Sequence, residues 1–262
     1  MERFALRWLF CGALVALCVA FASARDARGG ALKKEVPLLG AKGQVDEAAM
    51  RAAIAQGRPV QTGAGAQIEM RFDNGLLVRL GQNSIFAAKQ GTSRMELRRG
   101  AMLVRVPKSA GQTLITSGAV VSSLGGTTAL LEHYPDAYTK LISLEGTARM
   151  FMPAKIGESV LVDAGQLLMF HLKPAPKALP NPVDIDIKRL IATSQLIRGF
   201  APLESELSIA RGAQNQSRQK SGGTLTETNL VIFGRGTLVS LVPPETDTNP
   251  TTPTPTPSPS RQ

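Results

Sequence analysis

The chain has 262 residues, a formal net charge of +10, two histidines and two cysteines. Both cysteines, Cys11 and Cys18, sit in an N-terminal apolar run, so a chain that loses this run has no thiol for a disulfide, a metal or a nucleophile. Aromatic residues are only 5% of the chain, which leaves Leu, Val, Ile and Met to build a core and argues against the interleaved aromatics of a nucleic-acid binder.

The N-terminus has the three parts of a secretory signal peptide. Arg3 and Arg7 form a basic head, residues 8–20 are apolar apart from Gly12, and Ala22-Ser23-Ala24 is a small-x-small site before Arg25-Asp26. Cleavage is expected after Ala24. A membrane-spanning helix wants about 20 apolar residues, more than this run supplies. Phe10 and Leu17 precede the cysteines where a lipoprotein carries a small residue, so lipidation is not expected. With Arg3, Arg7 and Glu2 removed, the mature chain keeps about +9. Such a charge draws a protein to anionic polymers or head groups. The basic residues are dispersed, however, and the densest spot, Arg94-Met95-Glu96-Leu97-Arg98-Arg99, reads as a solvated strand edge.

Residues 25–59 form a lead-in. Within it, residues 46–55 suit a short helix with Asp46 as cap and Gly57 as stop, a strand-and-turn entry being the alternative. From Val60 the apolar period becomes two. Ile68, Met70 and Phe72 alternate with polar residues, and Asp73-Asn74-Gly75 then signals a hairpin, because Asn-Gly accepts positive φ. Leu76, Val78 and Leu80 continue it, so one buried face is expected. Short apolar stretches then recur between glycine turns about every ten residues up to His171. Met102, Val104 and Val106 share one face. Ile142 and Leu144 share another, and Ala148, Met150 and Met152 follow Glu145-Gly146. The class is mainly β: short antiparallel strands over residues 60–171, in a sandwich or a solenoid.

Residues 172–182 are Pro-rich and read as a linker. Residues 183–242 form a small, largely helical appendage. Ile187, Leu190, Ile191, Ser194 and Leu196-Ile197 suit one amphipathic helix ending near Gly199, and Pro202 opens a second with Leu203, Leu207 and Ile209. Gln214 to Lys220 is polar and reads as loose. Two last strands are expected on either side of Gly234-Arg235-Gly236. Residues 243–262, rich in Pro and Thr, cannot offset their ordering entropy. They read as a disordered tail, with an O-glycosylated stalk as the alternative.

A series of phrases in the strand region resembles the FecR domain family. They are Gln61-Thr62-Gly63-Ala64-Gly65-Ala66, Phe72-Asp73-Asn74-Gly75, Val78-Arg79-Leu80-Gly81-Gln82-Asn83-Ser84, Leu97-Arg98-Arg99-Gly100, Ile115-Thr116, Leu124-Gly125-Gly126-Thr127, Leu144-Glu145-Gly146 and Val162-Asp163-Ala164-Gly165-Gln166. The resemblance spans roughly residues 60 to 171. It implies the fold and a periplasmic or envelope setting. Prototype members are single-pass inner-membrane regulators that govern a sigma factor and sense a siderophore receptor. The short basic head here leaves no room for a sigma-binding segment, so that role is not carried over.

No catalytic, cofactor-binding or metal-binding residues are singled out, and the residues that would bind a partner are left unassigned. His133 and His171 lack zinc spacing, and His133, beside Glu132 and Tyr134-Pro135-Asp136, reads as turn-lining. No nucleophile elbow or phosphate loop occurs. Glu69, Asp73, Glu96, Glu132, Asp136, Glu145, Glu158 and Asp163 could form a glycosidase pair only if the fold set their separation. The expectation is a non-enzymatic module that scaffolds or binds an envelope protein. Adhesion to an anionic cell-wall polysaccharide is one alternative, and the periplasmic sensor part of FecR-type iron or siderophore signalling is another. Nucleic acid is not an expected partner, and the membrane is met only through the signal peptide.

Overall fold

The computed structural model describes residues 38–39, 47–89, 92–172, 178–223, 231–233 and 238–240. The expected signal peptide, Asp46 and most of the lead-in, part of the Pro-rich stretch and the Pro/Thr-rich tail lie outside the described residues.

The first elements are β1 (Leu38–Leu39), α1 (Glu47–Ala55) and β2 (Val60–Thr62). α1 buries Met50 and Ala53 and stops at Gly57, whose φ is 65° and whose N–H donates to Ile54 O. The expected hairpin follows as β3 (Ile68–Arg71) and β4 (Leu77–Leu80), with Ile68 opposite Leu80 and Glu69 opposite Arg79. Next come β5 (Ile85–Lys89) and the long β6 (Arg94–Val106).

β6 organises the fold because it belongs to two sheets. Residues 94–99 pair with β5, and residues 94–96 also run parallel to β7 (Thr113–Ser117). Residues 100–106 pair with β9 (Thr127–Tyr134), and residues 102–105 with β4. The corner is Gly100, with φ of 99°. A Cβ there would collide with Ser84, whose hydroxyl accepts the Ala101 N–H at 3.1 Å. Only glycine combines that dihedral with that contact.

The remaining strands are β8 (Val120–Leu124), β10 (Tyr138–Glu145), β11 (Ala148–Phe151), β12 (Ser159–Val162), β13 (Gln166–His171) and β14 (Val183–Asp184). The first sheet runs β12-β11-β8-β7-β6 and on through β5 to β2 and β1. The second runs from β3 and β4 through β6 and β9-β10-β13 to β14. Together they make one fourteen-stranded sheet, curled at Gly100 so that its halves face each other. Pairing is antiparallel except for β1–β2 and β6–β7, which are parallel and depart from the all-antiparallel expectation.

The core between the halves holds Phe86, Leu97, Ile115 and Met150 from the first sheet. Val78, Met102, Val104, Leu131, Leu141 and Leu168 come from the second. Leu179, in the stretch read as a linker, joins this core, and its N–H donates to Glu158 Oε1 at 2.7 Å.

A second apolar layer lies on the other side of the second sheet. Leu77, Ala101, Leu103, Leu130, Ile142, Leu144 and Leu167 meet Ile185, Ile187, Leu190, Leu196, Leu203 and Ile209. The hairpin β3–β4 therefore has more than the one buried face expected, and all four residues of β4 are buried. The C-terminal helices are α2 (Ile187–Thr193), α3 (Gln195–Arg198) and α4 (Glu206–Ser221). The single helix expected before Gly199 is broken at Ser194, whose ψ is 119°. Pro202 lies before α4 rather than opening it, and Leu207 is 74% exposed.

α4 continues through the polar stretch read as loose. Gln216 is buried and bridges two main-chain groups, accepting the Ile187 N–H at 3.0 Å and donating to Ile185 O. Lys220 Nζ lies 2.8 Å from Asp186 Oδ2, while Asp186 Oδ1 caps α2 by accepting the Arg189 N–H at 2.8 Å. The two expected last strands are present as an antiparallel pair, β15 (Val231–Phe233) and β16 (Leu238–Ser240).

Candidate interaction surface

The sheets differ in what covers them. On the first sheet, residues that alternate with the core point outward and are not covered by the helices. The register sets Arg94, Leu114, Ser123, Arg149 and Leu161 side by side in one row across β6, β7, β8, β11 and β12. The next row is Glu96, Thr116, Val121, Phe151 and Ser159. Arg94, Arg98, Thr116, Arg149, Ser159 and Leu161 are exposed, and Leu114, Val121 and Phe151 are half-buried. The result is a basic face with an apolar stripe. Arg98 Nε is 2.9 Å from Glu96 Oε2, the acid on this face of β6. The basic cluster of residues 94–99 thus lies mid-sheet between β5 and β7, and the strand-edge reading is corrected. Met95 and Leu97 point into the core and hold the strand there.

The β11–β12 hairpin ends this face. Its loop lifts Ile156 into solvent at 105% relative exposure, and Leu161 is 47% exposed. Arg149 Nη1 donates to Ser159 Oγ at 3.0 Å, so its guanidinium lies over β12. Among the described residues β12 pairs only with β11.

On the covered sheet, Arg79 is fully buried. Its Nε donates to Glu69 Oε2 at 2.9 Å, Nη1 to Leu196 O at 3.1 Å and Nη2 to Ala201 O. Phe200 stacks over the guanidinium, 4.8 Å from ring centroid to Cζ. Arg105 reaches Glu204 at 2.8 Å beside it. These contacts fasten the helical layer to the sheet. Lys140 and Glu132 form a second buried ion pair at 2.8 Å, and Tyr138 Oη donates to Glu132 at 2.8 Å. Burial lowers the Lys140 pKa, and the Glu132 charge and hydrogen bond offset part of that shift.

His133 does not belong to the turn at Pro135 and Asp136. It sits buried in β9, opposite Gly100 on one side and Thr139 on the other. Nδ1 lies 2.9 Å from Thr139 Oγ1, and a Cβ at Gly118 would approach Cε1 to 2.9 Å. Burial lowers its pKa. His171 is exposed at the end of β13, opposite Tyr138. The carboxylates considered for catalysis are spread through structural contacts. Glu69 holds Arg79, Glu96 holds Arg98, and Glu132 holds Lys140. Glu145 accepts from Thr128 and Asp163 from Thr147. Asp73 and Asp136 lie in turns. Among the described residues no three His, Cys, Asp or Glu side chains gather as a metal set.

Two phrases of the FecR resemblance meet in space. Thr62 Oγ1 donates to Gly81 O at 2.6 Å and accepts the Ser84 N–H at 2.8 Å. Gln82 Oε1 accepts the Gly65 N–H at 2.9 Å, and Asn83 N–H donates to Gly63 O at 3.2 Å. The phrases are a polar clasp that closes β2 onto the β4–β5 turn, a structural use rather than a chemical one.

Fold and surface together define a curled β-sheet domain with a helical layer on one face and an open basic face on the other. Residues 58–149 match the profile of the family described as FecR protein. Two crystal structures of a candidate anti-sigma factor from Parabacteroides distasonis are similar to it. One has a TM-score of 0.43 and 9% identity, covering 66% of this chain and 94% of that one. The other has a TM-score of 0.41 and 10% identity, covering 70% and 97%. No curated protein matches the chain.

The residues that sequence reasoning missed are Arg79, Arg149, Ile156 and Leu161. Each left a signal. Arg79 falls opposite Glu69 once the Asn74-Gly75 turn sets the register. Phe151 and Leu161 break the alternation by adding apolar residues to the outward positions, and Ile156 is an apolar residue inside a turn.

Proposed function

We propose that the chain is an exported, non-enzymatic FecR-domain protein of the bacterial envelope that acts by binding another protein. The observation that carries the reading is the asymmetry of the sheets: one outer face is covered by the chain's own helices, and among the described residues no element covers the other, which carries apolar and basic residues. An exposed apolar patch rimmed by polar groups suits a partner-binding face. The N-terminal signal-peptide pattern supports export. Among the described residues no helix is long and apolar enough to cross a membrane. Proximity labelling from the full chain in its own periplasm tests the reading, with reproducible enrichment of one envelope protein as the expected result. Labelling no higher than that of an unrelated exported control would overturn it.

A second reading, the sensor part of trans-envelope signalling, is favoured by the FecR match over residues 58–149. Deleting the gene would then change sigma-factor-dependent transcription under iron limitation. The net charge of +10 favours a third reading, adhesion to an anionic cell-wall polymer, and that binding would fall steeply with salt.

A further inference from the structure

The β11–β12 hairpin combines three features. The first is a main-chain edge. Met152 N–H donates to Glu158 O at 3.2 Å, and the register pairs Phe151 with Ser159 and Arg149 with Leu161. In an antiparallel ladder, bonded and non-bonded pairs alternate. The pairs 150–160 and 148–162 are therefore the bonded ones, and the N–H and C=O groups of Ser159 and Leu161 point away from β11. The second is an exposed apolar surface, made by Ile156 and Leu161. The third is a cation placed over the edge, the Arg149 guanidinium on Ser159 Oγ. The nearby carboxylates are turned to other partners: Glu158 accepts the Leu179 N–H and Asp163 the Thr147 hydroxyl.

We infer that β12 is a docking edge that takes an extended, acidic segment of a partner protein as the next strand of the first sheet. The inference rests on the protein-binding reading above and names its surface. An added strand would lie about 4.8 Å beyond β12. Its main chain would take up the outward groups of Ser159 and Leu161. Its outward residue beside Ser159 would meet Arg149, which selects a carboxylate, and its inward residues would extend the apolar cover over half-buried Val160. Strand addition of this kind draws affinity from the main chain and specificity from alternate side chains. A second copy of this chain fits less well, because it would bring Arg149 and a net charge of +10 against their own equivalents.

The test uses the full chain and two blocked nine-residue peptides, one alternating valine with glutamate and one alternating valine with lysine. Binding is read by fluorescence anisotropy. The glutamate peptide is expected to bind and the lysine peptide not to. Arg149→Glu should weaken the glutamate peptide by about tenfold or more, since like charges then face each other. Leu161→Pro should abolish binding while leaving the circular dichroism spectrum and melting temperature close to the parent's, because it removes an outward N–H that β11 does not use. If Leu161→Pro fails to fold, Arg149→Glu decides alone. Equal binding of both peptides, no binding of either, or wild-type affinity in a folded variant of either kind overturns the inference. Polygalacturonate bound at low salt equally by the parent and Leu161→Pro, with no peptide bound, also overturns it and identifies polyanion adhesion. Should proximity labelling recover the same partner with the parent and both variants, protein binding stands and the β12 edge falls.

Discussion

The two outer faces of this sheet are built from the same alternating strands but have opposite fates. On the second sheet the outward residues are Leu77, Leu103, Leu130, Ile142 and Leu167, and the chain returns after β13 to cover them with α2, α3 and α4. On the first sheet the outward residues mix Arg94, Arg98 and Arg149 with Leu114, Phe151 and Leu161, and those helices do not reach them. The lesson is that an outward apolar residue is not by itself a core signal. A continuous apolar face recruits a covering layer, whereas a face interrupted by arginines stays wet and available. Charges do occur on the covered face where they are satisfied: Arg79 by Glu69, two backbone carbonyls and the Phe200 ring, and Lys140 by Glu132.

The comparison can be broken or sharpened by substitution. Arg79→Met removes the fastening of the helical layer and leaves Glu69 Oε2 and two carbonyls without the guanidinium that serves them, Arg71 remaining on Glu69 Oε1. It should cost about 3–5 kcal/mol, measured by urea denaturation. Hydrogen exchange should rise first in α3. Gly100→Ala puts a Cβ against Ser84 at a positive φ and should cost about 3 kcal/mol or more, visible as a large drop in melting temperature. Leu103→Ala, on the covered face, should cost about 2–5 kcal/mol. Leu161→Ala, on the open face, should stay within about 0.5 kcal/mol. Equal losses for that pair in the same urea experiment would erase the distinction between the faces.

The smallest effect concerns pH. Burial holds the folded His133 pKa below its ordinary value of 6.5, so the unfolded chain binds the proton more readily. Stability is then fully present above the ordinary value and is lost as pH falls from there toward the folded pKa. His133→Gln should flatten the slope of stability against pH in that interval, and an unchanged slope would remove His133 as its source.

Much of the fold was legible in local pattern. The Asn74-Gly75 turn, the period of two in β3 and β4, the face shared by Met102, Val104 and Val106, and the glycine-bounded strands all appear where alternation and turn chemistry put them. Helix α4 was not legible through Gln214 and Lys220, because its polar residues are held by tertiary partners. Gln216 serves the backbone of Ile185 and Ile187, and Lys220 meets Asp186. His133 was misread because a histidine beside Pro135 and Asp136 resembles turn composition, while its buried place depends on Thr139 and the Gly118 corner.

The amino-acid order alone determined that this is a β protein of short strands with glycine corners, because turn dihedrals and side-chain alternation are local properties. It also determined the FecR phrases and the hairpin register that sets Glu69 against Arg79. Only the tertiary structure decided that β6 bends at Gly100 into two sheets, that the C-terminal helices cover one face, and that Arg149 reaches over an open strand. Those outcomes depend on contacts between residues far apart in the chain, which no local period encodes.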